Sequence, residues 1–240
     1  MSVYERASLP TLLAGNPYPG RGIVVGESAD RKYAVSAYFI MGRSENSRNR
    51  VFCEREGGEV VTAPFDESKV EDPSLIIYSA VRQVGDTLVV TNGDQTDTIC
   101  ESLARGGSFA EALRTRAFEP DAPNFTPRIS AALHLGDGSF SYEMSILKSA
   151  DEAGSACARY FFEYPACAGV GHFLHTYEGN GSPLPTFRGE PERVAIPSDI
   201  DVFTREIWES LDPNNRISLY VRFVDLAAGK AESRMINRNK

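Results

Sequence analysis

Apolar and polar positions along this chain fall into short blocks, most of them alternating with the two-residue period of a half-buried strand. Residues 22–27 (GIVVGE) and 32–41 (KYAVSAYFIM) read as two strands joined by a polar turn at 28–31, with Tyr33, Val35 and Ala37 alternating against Ala34, Ser36 and Tyr38. Two more short strands, 51–56 and 59–62, bracket the turn signal Gly57-Gly58. After an Asp72-Pro73 break comes the most informative stretch, 78–99 (YSAVRQVGDTLVVTNGDQTDTI). It predicts a strand over 75–84, a turn at Gly85-Asp86, a buried-type strand over 87–90 and the polar elbow Thr91-Asn92-Gly93-Asp94. Thr96 is then expected to cap a helix running through Ile99 and Leu103. In the first of these strands Ile76, Ile77 and Val81 are interrupted by Tyr78, Ser79, Arg82 and Gln83, so one strand carries a phenol and a guanidinium out of mostly buried surroundings. A strand that reaches a helix N-terminus through Asn-Gly offers backbone amides to an anion. The same turn also serves as a plain connection.

Two consecutive helices follow, 96–105, stopped by Gly106-Gly107, and 108–118, opened by the Ser108/Glu111 capping box. Strands 128–135 and 140–148 flank Gly136-Asp137-Gly138, and 156–164 with 169–175 suggest a further strand pair. A helix over 199–211 places Ile200, Phe203, Ile207 and Leu211 on one face, before strands at 217–225 and near 230–236. Strands in sequential hairpins, with helices inserted, favour an α+β fold of antiparallel sheets over a doubly wound parallel sheet. Two sheets face to face, with helices outside, would bury this many strands.

Composition narrows the class. With 240 residues and 42% hydrophobic content the chain can bury a sizeable core. No linker-like stretch or repeat divides it, so 1–240 is read as one domain. A net charge of -8 argues against generic binding to nucleic acid or anionic membranes, and any anionic ligand then needs a locally basic pocket. Cys53, Cys100, Cys157 and Cys167 lack metal-ligand spacing, no secretory leader is recognised and no apolar run approaches the roughly 20 residues that span a bilayer. Reduced thiols and a cytoplasmic location are expected, with no membrane partner.

Three places carry candidate chemistry. Residues 43–50 (RSENSRNR) pack three arginines among small polar residues, a composition suited to a phosphate or carboxylate clamp and equally to a solvated loop. In residues 124–128 (NFTPR), Thr126-Pro127 sets the start of a strand that Arg128 begins. Glu119 lies just upstream, where it is either a functional acid or a surface residue at a helix end. There is no phosphate-binding glycine loop, dinucleotide fingerprint or serine-nucleophile elbow. His134, His172 and His175 fall in no zinc spacing, and residues three apart on a strand point to opposite faces. Residues 176–188 form a turn-rich loop, a lid or a long connection.

The blocks GRGIVVGES, RSENSRNR, YSAVRQVGDTLVVTNGDQTDTI, FTPRIS and TYEGNGSPLP together resemble the archaeal-type IMP cyclohydrolases, which have bacterial relatives. The resemblance covers most of residues 20–190. It implies a four-layer α-β-β-α sandwich like that of N-terminal-nucleophile hydrolases, here without a nucleophile at a processed strand start. It implies closure of 5-formamidoimidazole-4-carboxamide ribonucleotide to IMP with loss of water, the final step of purine synthesis, with no metal or cofactor. The partner is then a small purine ribonucleotide.

By the same resemblance Arg50, Tyr78 and Glu119 are the catalytic residues. Tyr78 and Arg50 hold and protonate the formyl oxygen and Glu119 exchanges protons with the carboxamide nitrogen, with Asp121 the rival of Glu119. A phenol beside an arginine can also have a lowered pKa and act as a base, so the direction of transfer stays open. Arg43, Ser44, Asn92, Gly93, Thr96, Asp97 and Arg128 are the substrate-binding candidates, the arginines for the 5′-phosphate and the others for ribose hydroxyls or base edges. Asp97 has an alternative as a first-turn acid of its helix. A non-catalytic nucleotide-sensing protein of the same fold is the competing function. Residues 1–19 either pack on the core or make a subunit contact, which leaves a homo-oligomer open.

Overall fold

The computed structural model describes residues 4–70, 77–136 and 138–239. Among them one sheet has six strands in the order β11 (Glu192–Ala195), β10 (Val170–His175), β1 (Arg21–Glu27), β2 (Tyr33–Met41), β12 (Arg216–Asp225) and β13 (Ala231–Asn237). The other is a seven-stranded meander: β3 (Arg50–Glu54), β4 (Val60–Pro64), β5 (Ser79–Val84), β6 (Thr87–Thr91), β7 (Arg128–Leu135), β8 (Phe140–Ser149) and β9 (Cys157–Pro165). Every ladder within the two sheets is antiparallel. The expected α+β class and sequential hairpins hold.

Strand alternation decides which side chains meet between the sheets. Ile23, Val25, Tyr38 and Ile40 of the first sheet pack with Phe52, Val90, Ile129 and Met144 of the second. The intervening residues of the first sheet, among them Val24, Phe39, Phe173 and Leu219, pack on Leu9 and Leu13 of α1 (Leu9–Gly15) and on Phe203 and Ile207 of α5 (Ile200–Ser210). Val89 and Ala132 of the second sheet pack on Ile99 of α3 (Gln95–Ala104) and on Phe109 and Leu113 of α4 (Phe109–Arg114). Cover on both faces explains why β1 and β2 read as near-continuous apolar runs. Helix α5 follows its predicted stripe: Asp199 caps it, and Ile200, Phe203, Ile207 and Leu211 are buried, each contributing about 1.5–3 kcal/mol at most.

Several local expectations change. Strands β9 and β10 are not partners: β9 pairs with β8, and β10 pairs with β1 and β11 in the other sheet. Adjacency in sequence suggested a hairpin, but the connection crosses between sheets. Helix α4 keeps its Ser108/Glu111 box yet ends at Arg114. Thr96 does not cap α3. Asp94 holds that position, and the Thr96 hydroxyl, inside the helix, donates to the Ser79 carbonyl at 2.5 Å. The strand expected from residue 75 begins at Ser79, with Ile77 exposed before it. Leu75, Ile76, the Asp72-Pro73 break and Asp137 lie outside the described residues. Within residues 4–19, α1 packs on the core, with Ser8 as its cap and a proline in its first turn.

Gly20 joins that segment to β1 at a φ of 78°, and a Cβ there would fall 2.3 Å from Thr176 Oγ1 and 2.5 Å from the Tyr177 ring. Gly20→Ala is therefore expected to destabilise the protein by about 1–3 kcal/mol. The check is a urea unfolding curve, in which the midpoint should fall at unchanged slope.

Candidate active site

At one mouth of the gap between the sheets lies a cleft of about 300 Å³, lined by Tyr18, Arg21, Arg43, Ser44, Arg50, Glu119, Asp121, Thr126 and Tyr177, among others. Register delivers its charged groups. Arg50 opens β3 two residues before the inward Phe52, so its guanidinium enters the gap, and it is 2% exposed. Arg21 opens β1 in phase with the inward Ile23 and Val25.

Tyr78 reaches the gap through an irregularity. Val60 pairs with Val81 but Val61 pairs with Ser79, so Ala80 is an extra residue in β5. A bulge of this kind reverses the facing of the residues beyond it. Tyr78, Ala80 and Val81 all pack between the sheets, whereas Arg82 turns to the other face, where it pairs with Glu59 and Asp97 at 2.7 Å. The phenol and guanidinium that looked like partners on one strand therefore part. Tyr78, 7% exposed, instead meets Tyr38 of the opposite sheet, hydroxyl to hydroxyl, at 2.7 Å.

Glu119 and Asp121 hang from the loop between α4 and β7. Asp121 is committed to that loop's shape: its carboxylate accepts from the Thr126 amide at 2.6 Å and from the Thr126 hydroxyl at 2.5 Å. The Thr126 hydroxyl is in turn 2.7 Å from Tyr177 Oη, which joins this loop to residues 176–188. Glu119 is fixed through its backbone, its amide donating to the Thr126 carbonyl at 2.9 Å. No hydrogen-bond partner of its carboxylate is found among the described residues.

Burial sets the protonation states. It raises the Glu119 carboxyl above the ordinary carboxylate range, with Arg21 and Arg128 pulling the other way. Burial also raises the Tyr78 phenol, more than Arg50 and Arg21 lower it, so the phenol keeps its proton in the resting site. For Arg50, burial and then the neighbouring Arg21 lower the pKa. The Arg50 Nε donates to the Ser47 carbonyl at 2.8 Å, while its Nη2 is buried with no partner.

The arginine-rich segment divides. Ser44 caps the short helix α2 (Glu45–Arg48) in a reciprocal box with Ser47. Arg43 donates to Asn180 Oδ1 at 2.6 Å and the Gly181 carbonyl at 2.8 Å, with its guanidinium 5.1 Å from the centre of the Tyr18 ring, so it ties the 176–188 loop to the cleft rim. Arg48 turns away toward the Gly42 carbonyl and Asn215.

The elbow residues stand behind the cleft. Asn92 stitches β6 to β7, accepting from the Ile129 amide at 2.9 Å and donating to the Pro127 carbonyl at 2.8 Å. Thr96 is buried against β5, and Asp97 pairs with Arg82 outside the cleft. Arg128 is held by Gln95 Oε1 at 2.7 Å and by Asp94 at 2.6 Å. Gly93 makes room: a Cβ there would fall 2.5 Å from Arg128 Nη1 and 3.5 Å from Glu119 Oε1. The helix start expected to offer amides to an anion is thus filled by the protein's own side chains. Of the predicted binding residues, Arg43 and Ser44 line the cleft. Asn92, Thr96 and Asp97 do not, and Gly93 and Arg128 border it from behind.

Sequence reasoning passed over Tyr18 and Arg21 in the cleft and Gln95 behind it, while Tyr177 comes from the 176–188 loop read as a lid or a connection. For Arg21 a signal existed, a charged residue in phase with a buried strand face. The ring of His172 stacks on Tyr164 between the sheets, while His175 packs on Phe173 on the outer face, so the two histidines do face opposite ways. Cys157 and Cys167 are both thiols, and no helix among the described residues is long and apolar enough to cross a membrane.

A family model described as IMP cyclohydrolase-like protein matches residues 18–229. The chain is 32% identical over 158 residues to an IMP cyclohydrolase of Methanococcus maripaludis strain C6, an alignment covering 62% of this chain and 76% of that one. With the IMP cyclohydrolase of Methanococcus maripaludis strain S2 it shares 31% identity over 170 residues, 68% of this chain and 82% of the other. With that of Methanocaldococcus jannaschii it shares 33% over 118 residues, 48% and 56% of the respective chains.

Proposed function

Because this chain belongs to the IMP cyclohydrolase-like family, we infer that it is an IMP cyclohydrolase, a hydrolase-class enzyme of purine biosynthesis that closes 5-formamidoimidazole-4-carboxamide ribonucleotide to IMP with loss of water. The observation that carries this is the extent of the match: residues 18–229 include every residue lining the cleft, from Tyr18 to Leu184. Helix pairs outside two facing sheets support a four-layer α-β-β-α arrangement of the N-terminal-nucleophile-hydrolase kind, built as one domain around this cleft. A cytoplasmic setting fits purine synthesis and the two thiols of Cys157 and Cys167.

The reaction is intramolecular, so holding the carboxamide nitrogen close to the formyl carbon supplies much of the rate. The rest is proton transfer. As the N–C bond forms, the nitrogen's proton passes to ionised Glu119, and the carbonyl electron pair moves onto the formyl oxygen. That oxygen lies between Arg50 and Tyr78 and takes the Tyr78 proton. The hydroxyl then leaves as water with the proton held on Glu119, while the formamido N–H returns a proton to Tyr78. Both side chains end as they began. Neutral Tyr78, bonded to Tyr38, supports the donor role. A Glu119 carboxylate without a hydrogen-bond partner, beside an Asp121 already occupied by Thr126, supports Glu119 as the proton acceptor. Arg43 at the rim suits the 5′-phosphate.

Incubating the purified protein with the formamido ribonucleotide should produce the absorbance of the hypoxanthine ring, with a parallel titration showing IMP binding. Binding without conversion would overturn the assignment of catalysis in favour of nucleotide sensing.

A further inference from the structure

We propose that Arg21 is a catalytic residue of the ring closure, forming with Arg50 a two-guanidinium cradle for the formyl oxygen as negative charge collects on it. This rests on the cyclohydrolase reading above and adds a residue to it. The first observation is placement. Arg21 begins β1 in register with Ile40 of β2, and its side chain enters the gap in phase with Ile23 and Val25. It lines the cleft together with Arg50 and Glu119.

The second observation is what Arg21 lacks. Among the described residues its guanidinium has no hydrogen-bond partner, and its Nε is buried. No carboxylate among them comes within 4.0 Å of either Arg21 or Arg50. Two guanidinium groups withdrawn from water in one cleft, each with an unpartnered buried nitrogen, leave donors free for an oxygen that becomes negative. Two other arginines near the cleft are paired with carboxylates, Arg82 with Glu59 and Asp97 and Arg128 with Asp94.

The third observation is the company the pair keeps. Arg21 interacts electrostatically with both Tyr78 and Glu119 and disfavours the charge on Arg50. Burial opposes the charge on Arg21, and the Glu119 carboxylate favours it. A phosphate dianion in this position would face the Glu119 carboxylate, whereas an oxygen that becomes negative only as Glu119 takes up a proton would not. The pair therefore fits the reacting end of the substrate, and fixed donors aimed at developing charge act most strongly on the transition state.

The product gives a discriminating probe, because IMP keeps the phosphate but has lost the formyl oxygen as water. Arg21→Met is expected to lower kcat by about 10²-fold, with the Kd for IMP unchanged within about threefold. Arg21→Lys, which keeps the charge without the fork, should recover part of the loss and decides the matter by the same two measurements if the methionine variant fails to fold. An unchanged kcat would overturn the proposal. So would a tenfold rise in the Kd for IMP, since it would assign Arg21 to the phosphate. A wild-type protein that does not convert the formamido ribonucleotide would instead remove the cyclohydrolase reading itself, so the two failures are told apart.

Discussion

Replacing Tyr78 by phenylalanine is expected to lower kcat for ring closure by about 10³-fold while leaving the Kd for IMP within a few-fold of wild type. The Tyr78 hydroxyl is a neutral donor near Arg50 and Arg21, and the phenylalanine ring preserves the packing of Tyr78 between the sheets. The substitution also removes the bond to Tyr38, whose side chain is 0% exposed and would keep a buried hydroxyl without that partner. That loss alone is worth about 1–2 kcal/mol of stability. Tyr38→Phe separates the two effects, because it breaks the same bond from the far side and leaves the Tyr78 hydroxyl in place. Comparable losses of stability in the two variants, with the large fall in kcat confined to Tyr78→Phe, are the expected pattern. Equal kcat for Tyr78→Phe and wild type would remove the phenol from the mechanism.

What the sequence makes legible divides along physical lines. Strands covered on one or both faces announce themselves through alternation or unbroken apolar runs, and β1, β2, β6, β7, β8 and β12 are all readable in this way. Helix α5 is legible through its stripe and α4 through its box. A β9–β10 pairing is the wrong inference because periodicity reports burial and says nothing about which sheet supplies the neighbour. Short elements such as α1 and β11 span too few residues to show a period. In the site, family motifs point to Arg50, Tyr78 and Glu119. The elbow at 91–97, which locally resembles an anion site, is a set of internal ties: Asn92 to β7, Thr96 to β5, Gln95 to Arg128. No local pattern distinguishes an Asn-Gly turn facing a cleft from one facing its own sheet. The extra residue at Ala80 is equally hidden, since a bulge exists only relative to the register of the partner strand, and it is this bulge that separates Tyr78 from Arg82.

Glu119→Gln should also reduce kcat by about 10³-fold, and its effect on stability distinguishes chemistry from damage. Burial raises the Glu119 pKa, so over the interval between its unfolded and folded values the native state binds more protons than the unfolded chain. Stability attributable to this group is therefore lost as pH rises through that interval, and ionising the buried carboxyl is a net cost to the fold. A neutral glutamine avoids the cost, so the variant should melt no lower than wild type at pH 7 while being almost inactive. The pH profile carries the same sign. A base that must be ionised gives kcat/KM an acid limb, placed above the ordinary glutamate range by burial, and the residual activity of Glu119→Gln should lack that limb. Asp121→Asn should behave in the opposite way. Its carboxylate accepts from the Thr126 amide and hydroxyl, and Thr126 meets Tyr177, so this variant should lose about 1–3 kcal/mol of stability and retain the acid limb. If instead Asp121→Asn loses the limb and Glu119→Gln keeps it, the acid–base role belongs to Asp121.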